Sequence, residues 1–238
     1  MAKSKIKLNA WAIIAAISFL FLAFAPYLSS LTLNIFRDQP IHMMLTNFIK
    51  SIFNLGNTVN FLACLGVTIC IFTKIDAIGV TLASGLFWIS NLVALIKTLS
   101  IIIKYGLFFR VLGSTFTEVL ELTAYFVMFV VGVLFTILFF MKKSAPVFAK
   151  VVAFLPALIL LVLSVIRFIG NTGNVITAIT TGYDVLYSFI SNSTSTINTF
   201  VLFIGFMAIA FKLANFKKKL KNTVEISEDV VVENVVAE

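Results

Sequence analysis

Six stretches of this chain, at residues 10–32, 55–73, 78–100, 119–141, 151–169 and 199–216, are almost continuously apolar. About 20 such residues carry a helix across the hydrocarbon core of a bilayer, at roughly 1.5 Å per residue. No water serves the backbone inside that core, so each run must satisfy its own amides as an α-helix. Composition points the same way. Of 238 side chains 61% are hydrophobic and 12% charged, against about 45–50% and about 25% in soluble domains. The expected fold is all-α: a polytopic integral membrane protein, a bundle of about six transmembrane helices with amphipathic helices on the outer side. A soluble enzyme and a disordered chain are both excluded.

The net charge of +8 would suit nucleic acid in a soluble protein. In a membrane chain it reads as the positive-inside bias, so no nucleic-acid partner is expected. One set of alternate connecting segments holds Lys3, Lys5, Lys7, Lys74, Lys142, Lys143, Lys150, Lys212, Lys217, Lys218, Lys219 and Lys221. The other holds Arg37, Lys50, Lys97, Lys104, Arg110 and Arg167. Twelve basic residues against six predict both termini in the cytoplasm. The abundance of Phe, Ile, Asn and Lys suggests a bacterial plasma membrane. A rival reading of the first span is a cleaved signal peptide, with Ala23-Phe24-Ala25 as the small-x-small site. Against it, Pro26 follows the cut and the apolar run continues.

Residues 1–216 form the expected six-span domain. Residues 217–221 are a lysine cluster suited to anionic lipid. The tail at 222–238 has five acids and no base, the composition of a disordered extension. Cys64 and Cys70 are six apart, on different faces of a helix, and read as packing residues.

The longer connections, 33–54, 101–118 and 170–198, fall on the outer side. Ile41, Leu45, Phe48 and Ile52 recur at helical spacing, with His42, Asn47 and Lys50 on other faces. Ile176, Ile179, Tyr183, Leu186 and Ile190 do the same. Both rows predict amphipathic helices, either lying at the membrane interface or covering an outward cavity.

Polar residues inside the spans also gather outward: Asn57, Thr58 and Asn60, then Ser90, Asn91, Glu121 and Thr123. Ser90, Lys97 and Lys104 are seven apart and share a stripe, and Glu118 and Glu121 share a face of the next span. Lys97, Lys104, Arg110, Glu118, Glu121 and Arg167 therefore form a candidate outer-leaflet polar cluster. A structural ion-pair network and a polar ligand site both remain open for it. Lys and Arg near an interface can snorkel; Glu121 has a shorter reach. No charge lies deep at the centre of a span, which disfavours cation coupling through a buried carboxylate.

Small residues mark candidate helix-packing positions: Ala12 and Ala16, Gly79 and Ala83, Gly205 and Ala208. Pro26 and Pro156 are expected to kink or end their helices. His42 is the one histidine, so HExxH and haem or zinc sites lack their ligands, and no GxSxG, Walker A or GxGxxG pattern occurs. No enzyme, cofactor or metal is expected.

Two functional readings follow. The first is a transport-related subunit that binds or passes a small polar solute from the outer face. With six spans, both termini inside, and Ala12 and Ala16 on the first span, the chain resembles in architecture the substrate-capturing subunits of energy-coupling-factor transporters. That resemblance implies docking of Ala12 and Ala16 onto another membrane subunit and a partner ATPase to drive uptake. The second reading is a non-transporting accessory, scaffold or immunity protein acting through helix–helix contacts. On either reading the lipid bilayer is a partner.

Overall fold

The computed structural model describes residues 10–36, 40–73, 75–105, 112–141, 145–182 and 184–214. Every regular element among them is an α-helix. Six are long and apolar enough to cross a membrane: α1 (Ala10–Phe36), α3 (Leu55–Thr73), α4 (Asp76–Tyr105), α5 (Leu112–Phe140), α7 (Leu155–Thr181) and α8 (Val185–Ala214). These are the helices of a multi-pass membrane protein. Two shorter helices, α2 (Ile41–Ile52) and α6 (Val147–Val152), sit between them.

Local chemistry sets the helix ends. Oδ1 of Asn54 accepts from the backbone N–H of Gly56 and Asn57, capping α3. Pro156 stands in the first turn of α7, where a missing N–H costs nothing. Residues 147–181 are one apolar span, interrupted at 153–154 just before Pro156, so the expected break falls there, between α6 and α7. Gly182, at φ 68°, ends α7 in the left-handed region, which suits a residue without Cβ. Oδ1 of Asp184 then accepts from the Tyr187 N–H at 3.0 Å and caps α8.

The spanning helices form a closed ring in chain order: α1 packs on α3, α3 on α4, α4 on α5, α5 on α7, α7 on α8, and α8 returns to α1. Ala10 and Ala214 lie at one end, where Trp11 stacks on Phe211 with ring centroids 4.3 Å apart. We call this the terminal end; α2 and the α7–α8 turn occupy the distal end. Fully buried Ala15, Phe19, Cys64, Met128, Phe135, Leu160 and Ile209 fill the interior. The outward faces carry exposed Ile, Leu, Val and Phe, the surface a lipid solvent favours.

Several expectations are met and others corrected. The six runs are the six long helices, and α2 carries the Ile41, Leu45, Phe48 and Ile52 row. It buries none of its residues and is tied to α1 by the Asn47–Asn34 side-chain bond at 3.2 Å. The row from Ile176 to Ile190 is not a separate helix. Gly182 and Asp184 break it, and its halves prolong α7 and α8 past the expected span limits. Tyr183 lies outside the described residues, as do Arg110, the lysine cluster and the tail.

The small residues act within the chain. Ala12 and Ala16 are buried in its own core, so the docking that the resemblance implied has no exposed surface at that pair. A Cβ on Gly205 would press on Phe19 and Ser18 of α1, and one on Gly79 would overlap Cys70 of α3. Ala83 and Ala208 are also buried. Gly132, which the spacing did not single out, lets α5 approach the Thr81 backbone of α4. Both cysteines are free.

Candidate functional site

Most polar side chains in this ring bond to their own helix. A few reach across it, and the main group converges in the distal half. Glu121 on α5 faces Arg167 on α7, with Oε2 accepting from Nη2 at 2.5 Å. The other carboxylate oxygen accepts from the Tyr125 hydroxyl at 2.8 Å, one helical turn along α5. Arg167 Nη1 donates to the Thr199 hydroxyl on α8, and Thr199 donates to the Ser195 carbonyl at 3.0 Å. Tyr125 is 4% exposed, held against the rings of Phe87 and Phe206. The chain of bonds thus joins α5, α7 and α8 around one ion pair.

The pair lines two hollows. Below it, toward the terminal end, is a cavity of about 130 Å³ to which all six spanning helices contribute. Leu22, Ala25 and Pro26 come from α1, Asn60 from α3, Phe87 from α4, and Asn198, Thr199 and Leu202 from α8. Above it, a vestibule of about 410 Å³ is bounded by Ser29 and Leu33 of α1 and by Ser191, Thr194, Ser195 and Asn198 of α8. Those four positions fall at i, i+3, i+4 and i+7, so one hydroxyl- and amide-bearing stripe of α8 forms the wall. Glu121, Arg167 and Asn198 border both hollows.

Pro26 shapes the inner cavity. It has no N–H to offer the carbonyl four residues back, at Leu22. Asn60 fills that role, its Nδ2 donating to the Leu22 oxygen at 3.1 Å. A broken helical bond and a polar wall of the cavity thereby have one origin.

The structure divides the six cluster residues. Glu121 and Arg167 are brought together with side chains 17% and 21% exposed. Lys97 and Lys104 are exposed on α4, and neither lines either hollow. Glu118 lies one turn from Glu121; its Oε2 is buried and accepts no hydrogen bond from a described residue. Arg110 is outside the described residues. Among the described residues no three His, Cys, Asp or Glu side chains meet as a metal centre requires. His42 is exposed on α2.

Tyr125, Thr199 and Asn198 were missed. Tyr125 stands in an apolar run and reads as core, although its i+4 spacing from Glu121 was the available signal. A second missed pair lies at the terminal end. Lys212 on α8 donates to the Asp76 carboxylate at the start of α4 and to the Ile71 carbonyl at the end of α3, the latter at 3.3 Å. It clasps three helices. No protein-family model, curated protein or solved structure matches the chain.

Proposed function

We infer that the chain is a transport-related membrane subunit that binds or passes a small polar solute at the Glu121–Arg167 pair. The observation that carries this reading is that both charged side chains border the inner cavity and the vestibule at once. A charge inside a bilayer is costly, and a purely structural pair is better placed between tightly packed helices than between two hollows. The lysine asymmetry supports a plasma-membrane orientation with both termini cytoplasmic and the vestibule outside. The described residues contain no nucleotide-binding element, so energised transport calls for a partner ATPase.

One observation favours the accessory reading: Glu121 and Arg167 neutralise each other, and Tyr125 and Thr199 complete their bonding. Such a network suits a static membrane scaffold equally. Native mass spectrometry of the chain, extracted gently from its own host membrane, separates the two. A bound polar small molecule or a co-purifying ATPase is the expected result. A chain that carries only lipid in several detergents overturns the transport reading in favour of the scaffold.

A further inference from the structure

The chemistry of the ion pair restricts which solute the inner cavity suits, on the reading of a solute site just given. A guanidinium has five N–H donors in a planar fork. Two of Arg167's are engaged, by Glu121 and Thr199, and the side chain makes no other hydrogen bond to a described residue. Beside the two hollows, the remaining donors suit a carboxylate, which a guanidinium binds by paired hydrogen bonds. A lone carboxylate there would, however, lie against the Glu121 carboxylate, and in a site of low dielectric that repulsion is poorly screened. A lone cation next to Glu121 meets the same objection from Arg167. A ligand carrying both charges avoids both: its carboxylate takes Arg167, its ammonium takes Glu121, and the site stays neutral throughout. The amide of Asn198 and the hydroxyl of Tyr125, both on the inner cavity wall, offer uncharged partners for what is left.

Size narrows the class further. An engineered cavity of about 150 Å³ accommodates benzene, so about 130 Å³ suits a molecule of roughly the same number of non-hydrogen atoms. We propose that the Glu121–Arg167 site takes a small zwitterion, a short α-amino acid or a compact betaine, by exchanging the internal ion pair for two ion pairs with the ligand.

The test is calorimetric titration of the full chain in phospholipid nanodiscs with glycine, L-alanine and glycine betaine. Propionate, isopropylammonium and glycerol serve as anion-only, cation-only and neutral controls. At least one zwitterion is expected to bind saturably and at least tenfold more tightly than any control. Glu121→Gln with Arg167→Gln, a double change that strands no buried charge, is expected to weaken that binding at least tenfold. Asn198→Ala, which leaves the ion pair in place, is expected to weaken it by a smaller factor. A control that binds as tightly as the best zwitterion, or an unaltered affinity in the double variant, overturns the zwitterion assignment. The same holds if no zwitterion binds. An Asn198→Cys chain, read against the background labelling of Cys64 and Cys70 in the unaltered chain, then decides the broader reading: added labelling by an aqueous thiol reagent keeps a solute-accessible site, and no added labelling removes the transport reading as well.

Discussion

The side-chain amide of Asn60 donates to the main-chain carbonyl of Leu22, the oxygen whose helical partner Pro26 cannot supply. One span thus repairs another, and the repair lies on the wall of the inner cavity. Asn60→Leu is expected to destabilise the chain by about 1–3 kcal/mol, the usual cost of an unsatisfied buried polar group. In a Pro26→Ala background the helix regains its own N–H, and the same change is expected to cost less than half as much. Thermal unfolding of the four chains in one detergent measures this coupling; strictly additive effects would contradict it.

Removing one member of the Glu121–Arg167 pair leaves the other charge in a low-dielectric site. Glu121→Gln or Arg167→Gln alone is expected to cost about 3 kcal/mol, the lower end for a buried pair because both side chains keep some exposure. The double change is expected to recover at least half of the loss. Denaturation midpoints of the single and double variants check it, and a double variant no better than the worse single would count against mutual neutralisation.

Close helix approach gives a sharper contrast. A Cβ on Gly79 would overlap the Cβ of Cys70, whereas one on Gly66 would meet nothing within 4 Å. Gly79→Ala is therefore expected to cost about 1–3 kcal/mol through overpacking. Gly66→Ala is expected to stabilise by about 0.5–1 kcal/mol through helix propensity. Cys70→Gly should restore much of the Gly79→Ala loss, because it removes the atom that clashes. Melting temperatures of the purified variants provide the readout.

At the terminal end, Lys212 holds the end of α3 and the start of α4 together. Lys212→Met is expected to raise amide hydrogen exchange across residues 71–79 by at least tenfold, with little change in the distal half. Mass-spectrometric exchange on the solubilised chain resolves the two regions. Uniform exchange at both ends would show that the clasp does not act locally.

Hydropathy made the six spans legible, since a run of 20 apolar residues admits few alternatives. It failed at the distal ends of α7 and α8. Ser, Thr and Asn there dilute the apolar signal, and the break lies in two residues, Gly182 and Asp184, whose turn and capping chemistry outweighs the periodic row across them. Glu121, Arg167, Asn60 and Pro26 were each conspicuous as polar or helix-breaking residues in apolar surroundings. Their pairings were not legible, because chain order says which helices are neighbours but not how each is rotated. Lys97, one span before Glu121, and Arg167, one span after it, both belonged to the candidate cluster, and only the rotation of the helices selects Arg167. Tyr125 stayed hidden because an aromatic ring in an apolar run carries no mark of its hydroxyl's bond.

The contact between α1 and α8 that completes the ring has a consequence for how the chain is made. During synthesis the first span has only α2 and α3 beside it until the last span is made. For most of that time Phe19 and Ser18, the residues that Gly205 will approach closely, have no α8 to pack against. The walls of both hollows depend on α8 as well, so a chain cut short before residue 185 would lack the site and leave an unclosed seam along α1.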